Sequence, residues 1–174
     1  MIRIAFGHQA RTGKDTACEY LQKKYGGEIS HFSDPLYDIL NYAQLVCEFP
    51  MKKDREFLQW VGTEWARKKD PDVWVNYFIK NLDRTCNNFV ADIRFPNELS
   101  TLKNEGFVCV KIVRNDVEQL SHISELILSE HDGWDYTIEN NGSIEEFHQK
   151  LDQLISQAFS STNIPGSSVD AITA

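Results

Sequence analysis

Apolar positions along the chain follow two alternating patterns. Short apolar runs, which predict buried strands, lie at residues 1–6, 28–32, 89–91, 107–113 and 136–138. Between them, apolar residues recur every three or four positions, which predicts helices after residue 14 and at about 35–49, 53–67, 71–82, 96–105, 117–128 and 143–158. Strands that alternate with helices form parallel sheets with helices on both faces. The pattern therefore predicts a three-layer α/β/α fold with a mostly parallel sheet of about five strands.

The turn between the first strand and the first helix has the composition of a phosphate-binding loop. It reads Gly7-His8-Gln9-Ala10-Arg11-Thr12-Gly13-Lys14-Asp15-Thr16. In such a loop the backbone N–H groups and the helix N-terminus face phosphate oxygens, and the lysine reaches the outer phosphates. We therefore expect a nucleotide to be bound by Thr12, Gly13, Lys14, Asp15 and Thr16.

Two positions depart from the usual G-x-x-x-x-G-K-[ST] pattern. His8 occupies the position of the first glycine, and Gly7 comes one residue too early. Asp15 follows the lysine, where a serine or threonine normally binds magnesium. A carboxylate is also a hard oxygen ligand, so Asp15 is a candidate to hold Mg²⁺ directly or through water.

Further polar residues follow the other predicted strands. Ligands of open α/β sheets bind beyond the carboxyl ends of the strands, where Ser33, Asp34, Asp92, Arg94 and Arg114 all fall. Asp92 ends a short apolar strand, which is the position of a carboxylate that holds Mg²⁺. The alternative for Asp92 is a cap for the helix that starts near residue 96.

The phosphate loop and three further stretches resemble the phage-type deoxynucleoside monophosphate kinases. The loop is similar to that family's Ala-Arg-Ser-Gly-Lys-Asp-Thr, with His8 where the family usually has glycine. The other stretches are Phe32-Ser33-Asp34-Pro35-Leu36, Gln59-Trp60-Val61-Gly62-Thr63-Glu64 with Arg67 and Asp72-Val73-Trp74-Val75, and Asp92-Ile93-Arg94-Phe95-Pro96-Asn97-Glu98. The resemblance covers about residues 2–155. It implies a P-loop kinase that uses ATP and Mg²⁺ to phosphorylate a deoxynucleoside monophosphate (dNMP).

The resemblance also implies roles on the acceptor side. Arg67 and Arg94 would bind the acceptor monophosphate, and its base and sugar would contact Gln59, Thr63 and Glu64. Ser33, Asp34 and His122 are further candidate substrate contacts. The alternatives are a surface charge for Arg67 and a solvated helix residue for His122. Trp60, Trp65 and Trp74 are expected at core positions, with stacking on the base as their alternative.

Catalysis of phosphoryl transfer requires cations around the moving group. Lys14 and Arg11 can supply two from the loop, although Arg11 could also be a solvated loop residue. Arg114 opens the segment between the last two strands, where related small kinases carry a lid. The next cation after Arg114 is Lys150, so this lid depends on Arg114 alone.

Composition narrows the class of protein. The 174 residues are 41% hydrophobic and 25% charged, as in a globular domain, which we place at residues 1–159 with a disordered tail at 160–174. The sequence has no apolar run that could span a membrane and no apparent signal peptide, so we expect a cytoplasmic protein, in the host cytoplasm if phage-encoded. The four cysteines have no metal-binding spacing and predict buried free thiols. The sequence leaves the oligomeric state open, with a homodimer as one expectation.

Two other functions fit parts of the sequence. Relatives of similar sequence phosphorylate a modified base within phage DNA, but the net charge of −8 makes nucleic-acid binding a weak expectation. A nucleotide-binding regulator without turnover would be consistent with His8 and with the lid that is poor in cations. Release of ADP from ATP with dNMPs, with modified duplex DNA and with neither distinguishes the three.

Overall fold

The computed structural model describes residues 1–117, 128 and 131–159 of the chain. Strands and helices alternate along it, as the sequence predicts. The elements in order are β1 (Arg3–Gly7), α1 (Lys14–Tyr25), β2 (Glu28–Ser30), α2 (Asp34–Val46), α3 (Arg55–Gln59), a π-helix (Trp60–Arg67), α4 (Val73–Asn81), β3 (Asn88–Ile93), α5 (Pro96–Asn104), β4 (Val108–Val113), β5 (Tyr136–Glu139) and α6 (Ile144–Phe159).

The five strands form one sheet in the order β2-β3-β1-β4-β5, and every neighbouring pair is parallel. The predicted α/β fold and the number of strands are therefore confirmed. Strand β1 lies at the centre, so the loop that follows it leaves the middle of the sheet. The carboxyl ends of β2 and β3 lie beside this loop on one side, and that of β4 on the other.

Two apolar cores cover the faces of the sheet. Side chains of successive strand residues point to opposite faces, and β1 accordingly divides its side chains between the two cores. Ile4 and Phe6 pack with helices α1 and α6, whereas Ala5 packs with α4 and α5. Strand β3 is buried along its whole length, as expected for a parallel strand with helices on both faces.

A third, small core fixes the helical segment at residues 55–67. It consists of Val61, Ala66 and Trp74, with Leu36, Phe57 and Val73 packed against them. The sequence predicts one helix here, and the structure divides it into α3 and the π-helix. Leu36 approaches this segment closely at Gly62, where its Cδ1 would lie 3.0 Å from a Cβ on that glycine.

Some predicted burial is wrong. Trp74 is 6% exposed, but Trp60 and Trp65 are 53% and 44% exposed, so the core interpretation holds for Trp74 only. All four cysteines are free, and Cys18 and Cys109 are buried as predicted, whereas Cys47 is exposed. Cys47 directly follows α2, which ends at Val46, before Pro50, so the last turn of the predicted helix is missing.

Three further predictions concern membrane spans, the C-terminal tail and the lid helix. Within the described ranges, none of the helices combines the length and apolar character that crossing a bilayer requires. The predicted tail at 160–174 lies outside the described residues. So does the predicted lid helix at 117–128 except for its two end residues, of which Leu128 is buried in the second core.

Candidate active site

The loop between β1 and α1 has an unusual backbone. His8, Arg11 and Gly13 have φ angles of 84°, 63° and 103°. Left-handed conformations cost little at glycine but roughly 1–2 kcal/mol at other residues. His8 therefore adopts a conformation that glycine favours, at the position where the sequence pattern expects glycine.

Polar contacts hold this loop closed around Lys14. The Lys14 ammonium and the Thr12 hydroxyl both donate to the carbonyl of Gln9, the latter at 3.1 Å, and Lys14 and Thr12 are both buried. The Asn140 amide, just after β5, donates to the Thr12 carbonyl at 2.9 Å. The φ of 103° at Gly13 favours glycine, and a Cβ there would lie 2.6 Å from that amide nitrogen, which would have to move. The sequence analysis did not identify Asn140, although its place at a strand end was a signal.

Asp15, on the first turn of α1, contacts His31, which directly follows β2. Nε2 of His31 lies 3.4 Å from Oδ1 of Asp15, and Nδ1 lies 3.3 Å from Oδ1 of Asp34. The hydrogen bond with Asp15 raises the pKa of His31 to about 9. The same bond is the main cause that lowers the pKa of Asp15, which favours a carboxylate at neutral pH. The sequence analysis missed His31 because the predicted strand extended beyond it.

Asp92 is buried at the end of β3 and binds backbone N–H groups of the β2–α2 connection. Its Oδ1 accepts from Phe32 at 2.8 Å and its Oδ2 from Ser33 at 3.0 Å. Asp92 therefore does not cap α5. Each carboxylate oxygen has two lone pairs, so Asp92 retains acceptor capacity. Together, Asp92 and Asp15 offer the hard oxygens that suit Mg²⁺.

A cavity of about 380 Å³ lies between the phosphate loop, α2, the π-helix and the end of β3. It brings together seven of the predicted site residues: Arg11, Ser33, Gln59, Thr63, Arg67, Asp92 and Arg94. The sequence analysis did not select Tyr37, Lys53 and Arg55, which also line it. These three residues lie on α2, on the loop after it and at the start of α3.

The predicted site residues in the described part of the chain that do not line this cavity are Thr12, Gly13, Lys14, Asp15, Thr16, Asp34, Glu64 and Arg114. Asp34 accepts a hydrogen bond from the N–H of His31 at 2.7 Å. Glu64 lies 2.6 Å from Lys68, and Arg114 lies 2.7 Å from Asp116. Thr16, on α1, lines a separate groove between α1 and α6. His122 lies outside the described residues.

Arg67 lies on the wall of the cavity, where neighbouring groups hold its side chain in place. Its guanidinium pairs with the Glu98 carboxylate and donates to the Pro71 carbonyl at 3.3 Å. The guanidinium carbon also lies 3.9 Å from the centroid of the Phe95 ring. The Arg67 side chain is only 12% exposed. Arg67 is therefore not the solvated surface charge that the sequence left open.

Two solved kinase structures are similar to this chain in fold. Dephospho-CoA kinase from Campylobacter jejuni superposes with a TM-score of 0.57 at 15% identity, covering 94% of this chain and 100% of that one. Shikimate kinase from Acinetobacter baumannii gives 0.56 at 15% identity, covering 94% and 97%. These similarities show that the chain shares the α/β fold of these two kinases.

The sequence comparison is more specific. Residues 51–151 match the deoxynucleotide monophosphate kinase family, to which this chain belongs. A putative deoxynucleotide monophosphate kinase of Acanthamoeba polyphaga mimivirus is 27% identical, over 91% of this chain and 98% of its own length. The uncharacterized protein ORF77 of Ictalurid herpesvirus 1 (strain Auburn) is 33% identical over 74% of this chain.

Coverage of the relatives is uneven. The chain spans 59% of ORF77. It also spans 44% of the deoxynucleotide monophosphate kinase of Escherichia phage RB69, to which it is 31% identical over 58% of its own length. Of the stretches that resemble the family in sequence, the 59–75 region and the Asp92 motif lie within the matched residues 51–151, and the phosphate loop lies before them.

Proposed function

We propose that this protein transfers the γ-phosphoryl group of ATP to a deoxynucleoside monophosphate. The observation that carries the proposal is a cavity shared by Arg11 of the phosphate loop, Asp92 and Arg94 at the end of β3, and Arg67 of the π-helix. Donor-side and acceptor-side groups thus line one crevice. Membership of the deoxynucleotide monophosphate kinase family supports the same reaction.

The phosphate loop serves the donor. Backbone N–H groups at the start of α1 face the phosphates of ATP, with the helix N-terminus adding partial positive charge. Lys14 neutralises charge on the outer phosphates. Asp15 and Asp92 are the residues that would hold Mg²⁺, which neutralises phosphate charge when bound. The pKa of Asp15 is lowered mainly by its bond with His31, so this carboxylate is ionised at neutral pH.

The other half of the cavity serves the acceptor. A monophosphate presents a dianion, and planar guanidinium groups bind such oxygens through paired hydrogen bonds. Arg67 and Arg94 take this role. Gln59 and Thr63 line the same cavity and contact the base and sugar. Glu64, which pairs with Lys68 outside the cavity, would reach the acceptor only after a change of rotamer.

In the transfer step, a phosphate oxygen of the acceptor attacks the γ-phosphorus of ATP. The bond to the oxygen that bridges the β- and γ-phosphates breaks, and that oxygen leaves with ADP. Positioning and charge neutralisation supply most of the catalysis of such reactions. Arg11 and Lys14 supply positive charge from the donor side, and Arg94 supplies it from the acceptor side. Arg114, paired with Asp116, would have to leave that partner to contribute.

The test is release of ADP from ATP with each of the four dNMPs, with modified duplex DNA and without acceptor. We expect turnover of at least one dNMP, with modest weakening between low and physiological salt. Turnover of modified DNA alone, with steep salt dependence from counterion release, would replace this function by a DNA kinase. ATP binding without turnover of any acceptor would indicate a regulator.

Lys14→Ala provides a catalytic control for the same assay. We expect kcat to fall by about 10²–10³, the general scale for one preorganised electrostatic contact. Lys23→Ala, an exposed lysine on the same helix, should leave kcat unchanged. A folded Lys14→Ala protein with normal turnover would contradict the role of the loop.

The origin of the protein and its cellular location are a separate part of the proposal. Relatives from a herpesvirus, a mimivirus and a phage support a viral enzyme, which would act on nucleotides in the host cytoplasm. Sedimentation of the purified chain distinguishes a monomer from the expected homodimer.

A further inference from the structure

The Glu98 carboxylate connects three parts of the acceptor wall. It is 1% exposed, near the start of α5. One oxygen pairs with the guanidinium of Arg67, which comes from the π-helix. The other accepts from the backbone N–H of Arg94 at 2.7 Å and of Phe95 at 3.0 Å. Both arginines assigned to the acceptor phosphate are therefore joined to one buried carboxylate.

These contacts fix the plane of the Arg67 guanidinium. Glu98 accepts at Nη2, the Pro71 carbonyl accepts at Nη1, and the Phe95 ring covers one face. A guanidinium carries five N–H donors in a rigid plane. Because Nη1 and Nη2 of Arg67 each have a partner and the Phe95 ring covers one face, the remaining N–H donors of the guanidinium point in a defined direction. Ordering this side chain before ligand arrives lowers the entropy lost on binding.

Glu98 also acts on the second arginine through the backbone. Its bonds to the N–H groups of Arg94 and Phe95 hold the turn between β3 and α5. The Arg94 side chain leaves from this turn into the cavity. Movement of the turn would therefore displace Arg94 from the acceptor.

We infer that Glu98 is a positioning residue for the acceptor phosphate, holding Arg67 by an ion pair and Arg94 through its backbone. The inference rests on the proposed function. It adds to that function a residue that does not touch the nucleotide. This role differs from that of a purely structural helix cap, because a residue that only caps α5 would not affect the affinity for the acceptor.

The test is Glu98→Gln. Glutamine can keep its oxygen on the two N–H groups of the turn while it presents an amide N–H₂ to Arg67, so the cap survives and the ion pair is lost. We expect the acceptor KM to rise about tenfold to a hundredfold, the scale of one hydrogen bond to a charged group. The ATP KM should change less than about threefold, because Glu98 lies on the acceptor side only.

A double-mutant cycle shows whether Glu98 acts through Arg67. Arg67→Ala should raise the acceptor KM, and adding Glu98→Gln to it should raise the KM little further. Glu105→Gln is the matched control. Glu105 directly follows α5 and pairs with Arg84 at 2.9 Å, and neither residue lines the cavity. Glu105→Gln should leave both the acceptor KM and the ATP KM unchanged.

Glu98→Asp covers the case in which Glu98→Gln does not fold. Aspartate keeps the charge, but it is one methylene too short to reach the turn and Arg67 together, so the acceptor KM should again rise. A folded Glu98 variant with a lower melting temperature and an unchanged acceptor KM would overturn the inference and leave the proposed function intact. Absence of dNMP turnover in the wild type would overturn both.

Discussion

The indole N–H of Trp74 donates a hydrogen bond to the backbone carbonyl of Gly62, 2.9 Å away. This bond connects α4 to the π-helix beside the cavity, and both residues line it. The absence of a side chain at Gly62 lets Leu36 of α2 approach the same point. Three helical elements of the acceptor wall therefore meet at one glycine.

Trp74→Phe should destabilise this wall. Phenylalanine keeps most of the apolar contacts but cannot donate to the Gly62 carbonyl. We expect a loss of about 1–3 kcal/mol, the usual cost of removing a buried hydrogen-bond partner, measured by urea unfolding. Trp65→Phe is the control, since Trp65 is 44% exposed and should change stability by less than about 0.5 kcal/mol. Equal effects of the two substitutions would mean that the Trp74 bond adds little.

The positive φ of His8 gives a second prediction. His8→Ala and His8→Gly both remove the ring, so their difference isolates the backbone at a φ of 84°. Alanine is normally the more stable choice, but here glycine should be more stable by about 1 kcal/mol, because a left-handed conformation strains residues with a Cβ. Melting temperatures of the two variants check this order. A more stable alanine variant would show that the loop relaxes out of this conformation.

The strand and helix pattern could be predicted because burial alone decides it. Strand β3 is buried on both faces, and its residues 89–91 form the short apolar run that predicts it. The π-helix could not be predicted in this way, since its apolar spacing is close to that of an α-helix. The exposure of Trp60 and Trp65 was also missed, because the contacts of Leu36 and Trp74 decide which face of this segment is buried.

The site residues that lie at the ends of strands could be predicted from the sequence. Asp92 lies at the end of β3 and Arg94 directly follows it, and the structure brings them to the same cavity as Arg67. Side-chain partners from distant elements could not be derived. Glu98 lies 31 residues from Arg67, and no local pattern indicates their pairing. His31 was missed for a different reason: β2 ends at Ser30, which places His31 at the strand end instead of inside the strand.

The magnesium ligands give a third prediction. Asp92→Asn should raise the Mg²⁺ concentration needed for half-maximal rate, and it should lower the melting temperature, because an amide has only one oxygen for two N–H groups. Asp15→Asn should also shift the Mg²⁺ requirement. Asp34→Asn is its matched control, since it too removes a carboxylate from His31 but is not a proposed Mg²⁺ ligand. Unchanged Mg²⁺ dependence in both the Asp92 and Asp15 variants would assign the ion to other groups.

The last prediction concerns stability and pH. Burial raises the pKa of Glu98 from 4.5 to about 7 and is opposed by Arg67 and by the N–H groups of Arg94 and Phe95, while Asp92 adds to the rise. Between these two pH values the folded protein holds a proton on Glu98 that the unfolded chain releases, so the ion pair of Glu98 with Arg67 is complete only above about pH 7. The resulting stabilisation is therefore complete below about pH 4.5 and is lost as the pH rises through 7.

Glu98→Gln removes this titration and supplies the reference. The free energy of unfolding of the wild type, minus that of the variant, should fall between pH 4.5 and 7 and level off above that range. Taking the difference cancels groups that titrate equally in both proteins, including His31. Urea unfolding at half-unit pH steps provides the curve. A difference that stays flat, or that rises with pH, would show that Arg67 and the two N–H groups outweigh burial and keep Glu98 ionised throughout.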